Sequence, residues 1–147
     1  MVDPYSYLST IRIPTLLIFG TNDQFWALDA HRLYWDQIRG PKLIRMVPNV
    51  GHNLGGGVEA AASVAFFSRC LTGAIPGGLP KLSGQDSRRK QQVPWYAGSK
   101  SLEFQLSAWR SHVKPGANPR KVASFIEYRF EAGSSKASFT SVVTIRK

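Results

Sequence analysis

The first strong pattern along the chain is an unbroken apolar run, Ile13-Pro14-Thr15-Leu16-Leu17-Ile18-Phe19-Gly20, which enters through a proline and stops at a glycine. Side chains that are apolar at consecutive positions need burial on both faces, which is the mark of a parallel strand inside a sheet. After a polar and aromatic stretch from Thr21 to Trp26, Leu28, Ala30, Leu33, Tyr34, Trp35 and Ile38 recur at helical spacing until Gly40-Pro41, and this predicts an amphipathic helix. Lys42 to Val47 is a second short strand pattern, cut off by Pro48-Asn49. Glu59 to Leu71, with Val64, Phe66, Phe67 and Leu71, is a second helical pattern closed by Gly73. Strand, helix, strand, helix is the order of an α/β layer.

Beyond Gly73 the punctuation changes. Residues 73–98 hold Gly73, Pro76, Gly77, Gly78, Pro80, Gly84, Pro94 and Gly98, the composition of linker and loops. Residues 101–109, 122–130 and 137–145 then alternate apolar with polar, interrupted by Pro115-Gly116 and Gly133-Ser134-Ser135, and predict three antiparallel strands that make only part of a sandwich. The expected organisation is an α/β portion over residues 1–80, linker and loops over 81–100, and a partial antiparallel β region over 101–147. So short a parallel sheet implies an exposed edge and a tendency to self-associate through it.

Charge sharpens this division. Of the net +10, residues 1–80 contribute 6 basic and 5 acidic side chains, and residues 81–147 contribute 13 basic and 4 acidic. The basic run Arg88-Arg89-Lys90 carries no recognisable DNA or RNA module signature, so no nucleic-acid partner is expected. No stretch approaches the ~20 apolar residues of a membrane span. The opening Met1-Val2-Asp3-Pro4-Tyr5 has neither a basic start nor an apolar run, so no secretory signal is read; a cytoplasmic location follows by default, and an exported one if the true N-terminus lies upstream. Cys70, the single cysteine, forms no internal disulfide and is expected to pack in its helix. No Cys/His spacing suggests zinc, and neither metal nor cofactor is expected.

Candidate chemistry lies at two strand ends. Gly20-Thr21-Asn22-Asp23 places a carboxylate just past the first strand, and Gly51-His52 an imidazole past the second. In an open α/β sheet the carboxyl ends of parallel strands form the rim where ligands bind, so the two loops should emerge side by side. A carboxylate bonded to an imidazole fixes the ring's tautomer and stabilises the imidazolium formed when the ring takes a proton from a nucleophile. Taken singly, Asp23 reads as a turn or helix cap and His52 as a surface residue; their order and placement together suggest two members of a triad. Phe25 and Trp26, beside the acid, are candidate substrate-binding residues. Tyr34 and Trp35 read as core, and Gly55-Gly56-Gly57 as a hinge, since no Lys-Ser or Lys-Thr pair follows to make a phosphate loop.

The wording of several segments adds to this reading. Asp3-Pro4-Tyr5-Ser6-Tyr7, Gly20-Thr21-Asn22-Asp23-Gln24-Phe25-Trp26, Leu33-Tyr34-Trp35-Asp36, Gly40-Pro41-Lys42 and Val47-Pro48-Asn49-Val50-Gly51-His52 resemble the PhoPQ-activated pathogenicity-related protein family of α/β hydrolases, over residues 1 to about 82. The resemblance implies the C-terminal segment of an α/β-hydrolase fold, with Asp23 the acid and His52 the base of a Ser-His-Asp site. It also implies a following β-sandwich-like region, of which Leu79-Pro80-Lys81-Leu82, Trp95-Tyr96-Ala97-Gly98-Ser99 and Phe104 to Trp109 look like pieces.

The nucleophile of an α/β hydrolase sits at Gly-x-Ser-x-Gly, before the acid in sequence. No serine of this chain is so flanked; the nearest, in Gly133-Ser134-Ser135-Lys136-Ala137, follows the histidine and reads as a turn between strands. Two functions of different class follow. The chain is the acid and base portion of a serine hydrolase acting on acyl or peptide bonds, inactive as it stands, or it is a non-catalytic remnant or binding module on the same fold.

Overall fold

The structure, a computed structural model, describes residues 4–116 and 120–146; Asp3, quoted above, lies outside them. Thr15–Gly20 (β1) and Lys42–Val47 (β2) form a parallel pair, in register from Thr15 opposite Lys42 to Gly20 opposite Val47. Val58–Leu71 (α1) follows, and then Arg89–Ser99 (β3), Arg110–Ser111 (β4), Lys121–Ala132 (β5), Ser135–Thr140 (β6) and Thr144–Arg146 (β7). Among the described residues all belong to one mixed sheet of seven strands, ordered β1-β2-β6-β5-β3-β4, with β7 beside β5 and no closed barrel. The antiparallel strands therefore continue the sheet of the parallel pair, joined to it at Ile44 opposite Thr140. There the Thr140 hydroxyl accepts from the Met46 N–H at 3.1 Å and donates to the Ile44 carbonyl at 3.4 Å, replacing ladder bonds that a single bridge leaves unmade.

Alternation along β1 and β2 divides the apolar side chains between two clusters. Leu16 and Leu43 join Phe66, Phe67 and Cys70 of α1 with Phe130 and Phe139, whose rings meet edge-on at 6.0 Å. Leu17, Phe19, Ile44 and Met46 join the other cluster with Trp109 and Phe125, centroids 5.1 Å apart. Each such fully buried aromatic ring contributes about 1.5–3 kcal/mol. Among these apolar groups lies one ion cluster. The Arg45 guanidinium, 3% exposed, donates to Glu127 at 3.0 Å and to Glu59 at the start of α1, while Glu127 also accepts from Trp95 Nε1 at 3.0 Å. It ties β2, α1, β3 and β5 together.

Four sequence expectations change. The helix expected over Leu28 to Ile38 is two short 3-10 turns, Ala30–Leu33 and Trp35–Gln37. Asp29 makes no capping bond, and His, Tyr, Trp and Asp are weak helix formers. Ile38 is buried as expected, but Leu33 is 71% exposed and His31 lies inside in its place.

In α1 the buried face is Ala60, Ser63, Phe66, Phe67 and Cys70, leaving Val64 and Leu71 half exposed. The expected linker over residues 81–100 contains the eleven-residue strand β3, which pairs with β5 along nearly its whole length. Prolines and glycines misled there: Pro94 stands opposite Ile126 within that ladder.

The linker proper ends at Arg88. Its guanidinium holds the Asp86 carboxylate at 2.7 Å and the carbonyl of Gly78 at 2.8 Å, while Arg89 holds that of Leu82 at 2.7 Å. Much of the basic run is thus engaged within the chain. The strand expected over 101–109 is a loop, for a reason given below. The strand expected over 137–145 is β6 and β7, separated where the Ser141 hydroxyl, accepting from the Ile126 N–H at 3.0 Å, takes a ladder position. Among the described residues no helix is long and apolar enough to cross a membrane.

Candidate functional site

Two close approaches build the rim above β1 and β2. A β-carbon at Gly20 would overlap the carbonyl oxygens of Val50 and Gly51, so only glycine lets the end of β1 lie against the loop after β2. Thr21 N–H then donates to Val47 O at 3.0 Å and Asn22 N–H to Val50 O at 2.9 Å, extending the parallel pairing into the loops. The Thr21 hydroxyl accepts from Asn49 N–H at 2.9 Å. Asn49 holds a left-handed conformation, φ 59°, which asparagine tolerates better than most residues.

Asp23 and His52 meet on this rim. Asp23 Oδ2 lies 2.8 Å from His52 Nδ1, and Asp23 Oδ1 accepts from the N–H groups of Phe25 at 2.8 Å and Trp26 at 3.3 Å. Burial of the carboxyl opposes ionisation, but the Phe25 N–H and the His52 bond and charge outweigh it, and the Asp23 pKa is lowered from its ordinary value. An ionised carboxylate only accepts, so Nδ1 carries the shared proton, and in the neutral form of the ring Nε2 keeps its lone pair. The Asp23 side chain is 8% exposed and that of His52 is 55% exposed: a sheltered anion behind an accessible ring.

The Phe25 ring stands edge-on to the imidazole, centroids 5.1 Å apart at 85°, and is itself 70% exposed; Trp26 is 54% exposed. The four residues named from sequence therefore share one rim. After His52 the chain turns through Leu54 and Gly55, both at positive φ, before α1 begins. Leu54 in that region is strained, and the strain sits beside the pair.

The residues that sequence reasoning missed are the amides around the acid. The Asn22 side-chain NH2 donates to the carbonyls of Gln105 at 2.9 Å and Ser107 at 2.8 Å, and its oxygen accepts from the Thr21 hydroxyl at 2.8 Å. Asn49 pairs both ways with the Trp109 backbone, accepting its N–H at 2.7 Å and donating to its carbonyl at 3.0 Å. These bonds satisfy backbone groups that a strand over 101–109 would have offered to a neighbour, which is why that segment is a loop. The missed signal was the amide next to the acid, read only as part of the polar loop after the first strand, and the one after Pro48, read only as part of the break that ends the second.

His31, whose imidazole is buried, packs against the Phe19 ring, with its pKa lowered by burial, and is not bonded to Asp23. No group of three or more His, Cys, Asp or Glu among the described residues is placed to hold a metal ion.

The rim gathers the loops after two parallel strands, and comparison places the chain: residues 1–115 match the PhoPQ-activated pathogenicity-related protein family, and the chain belongs to that family. The match runs well past residue 82, where the resemblance read from sequence fades, and takes in β3, the loop held by Asn22 and Asn49, and β4. A similar protein is autocrine proliferation repressor protein A of Dictyostelium discoideum, 31% identical over 74 residues, which are 48% of this chain and 15% of that protein. The chain thus spans a small part of the curated relative it matches. No solved structure matches.

Proposed function

We propose that this chain supplies the acid and base of a serine hydrolase site of the α/β-hydrolase type, acting on acyl or peptide bonds, with the nucleophile contributed from outside these 147 residues. The observation that carries the reading is the 2.8 Å contact between Asp23 and His52 Nδ1, with the ring exposed beyond it. In this role His52 Nε2 takes the proton of an attacking hydroxyl, Asp23 stabilises the resulting imidazolium, and the ring returns the proton to the leaving group. Phe25 and Trp26 give the substrate an apolar wall beside the base. The oxyanion hole of this fold uses a backbone N–H next to the nucleophile and another from an early loop, so in this reading it comes with the nucleophile.

Two measurements test the reading. The chain alone is expected to show no acyl-enzyme burst with an activated ester, and a burst abolished by His52→Ala would place the nucleophile within it. In a polypeptide joining this chain to a Gly-x-Ser-x-Gly segment of its family, Asp23→Ala and His52→Ala are each expected to lower kcat by about 10³-fold or more. Retention of activity in either would contradict the assignment.

A further inference from the structure

Between β3 and β4 the loop carrying Phe104 to Trp109 has almost no ladder bonds of its own, yet its ends are fixed. Phe104 and Trp109 are 1% and 3% exposed, while Leu106 between them is 96% exposed. Besides the Ser107 hydroxyl, which donates to the Gly98 carbonyl at 3.1 Å, two asparagines of the rim hold the intervening backbone. Asn22 takes the carbonyls on either side of Leu106, and Asn49 takes both backbone groups of Trp109. Asn22 is covalently next to Asp23. Asn49 is three residues before His52 and bonded through its own N–H to the Thr21 hydroxyl. Any freedom in this loop is therefore passed directly to the backbone that carries the acid and the base.

We infer that Asn22 and Asn49 are positioning residues, through which the antiparallel region holds the Asp23 carboxylate in register with His52. This rests on the acid–base reading above and gives the C-terminal strands a part in it: they are the anvil against which the rim is set. Three loops, after β1, after β2 and before β4, are locked by six side-chain bonds, none involving a charged group. Such a lock is insensitive to salt and pH, which suits the support of a group that must change protonation.

The test follows the Asp23 carboxyl by carbon-13 NMR across acid pH, in the chain itself and in four variants. His52→Ala is expected to raise the Asp23 midpoint; an unchanged midpoint would refute the pair, whatever Asn22 does. With the pair intact, Asn22→Ala and Asn49→Ser are each expected to raise the midpoint by about 0.5 pH unit or more, because the bonds from His52 and the Phe25 N–H loosen. Ser63→Ala removes a buried bond of α1 to the Ser138 carbonyl and serves as a destabilised control, with the midpoint unmoved. Midpoints in Asn22→Ala and Asn49→Ser equal to that of the parent chain would overturn the inference while leaving the pair standing. If Asn22→Ala does not fold, Asn49→Ser, which keeps a side-chain oxygen, decides.

Discussion

The parallel and antiparallel parts of this sheet use their strand ends differently. β1 and β2 run the same way, so both carboxyl ends reach one rim and side chains 29 residues apart come within 2.8 Å. β5 and β6 run opposite ways and close through Gly133, φ 59°, in a tight turn that carries no such chemistry. Parallel topology gathers strand ends in one place, whereas antiparallel topology sends alternate ends apart. The difference teaches a division of labour for the proposed site, with the acid and base on the parallel pair and their support in the antiparallel strands. The two are joined by an ion cluster at Arg45 and by neutral amides at Asn22 and Asn49.

The comparison breaks most severely at Arg45. Arg45→Ala leaves Glu127 buried without its main cation, and an expected loss of about 3–5 kcal/mol would be seen in urea unfolding. A loss under about 1 kcal/mol would show that the cluster does not join the two parts. Gly20→Ala forces the two rim loops apart and is expected to cost about 1–3 kcal/mol, with His52 and Asp23 amide shifts moving in the NMR spectrum.

Acid distinguishes the regions further. Asp86 is held well below its ordinary 3.8, chiefly by the Arg88 guanidinium. Glu127 is lowered from 4.5 because the Trp95 bond and Arg45 charge outweigh its burial. Carboxyls depressed in the folded state contribute stability that is present above their unfolded values and lost as pH falls through the folded ones. Unfolding free energy is therefore expected to decline as pH drops below 4.5 and to continue declining below 3.8, with Asp86→Asn and Glu127→Gln flattening the curve. The smallest effect belongs to His52. His52→Ala, at an exposed position, is expected to change stability by no more than about 0.5 kcal/mol.

What the sequence made legible follows from the same division. The apolar run at residues 15–20 and the short strand pattern at 42–47 leave parallel strands as their natural reading, and parallel strands fix where Asp23 and His52 emerge. Phe25 and Trp26 lie on the same rim because they adjoin the acid in sequence. The antiparallel part was harder, because its strand boundaries depend on which backbone groups find partners. Pro94 and Gly98 look like breakers, yet they lie in a strand whose ladder is completed by β5, far along the chain. Residues 101–109 alternate like a strand, yet side chains from residues 22 and 49 satisfy their backbone first. Leu28 to Ile38 marked inward positions only in part, since burial of His31 has no apolar signal.

The pairing of acid and base is tested most directly by proton and nitrogen-15 NMR of the His52 imidazole in its neutral form. The expected result is a proton on Nδ1, with a downfield hydrogen-bonded resonance that disappears in Asp23→Ala, and an unprotonated Nε2. A neutral ring carrying its proton on Nε2, with shifts indifferent to Asp23→Ala, would contradict it.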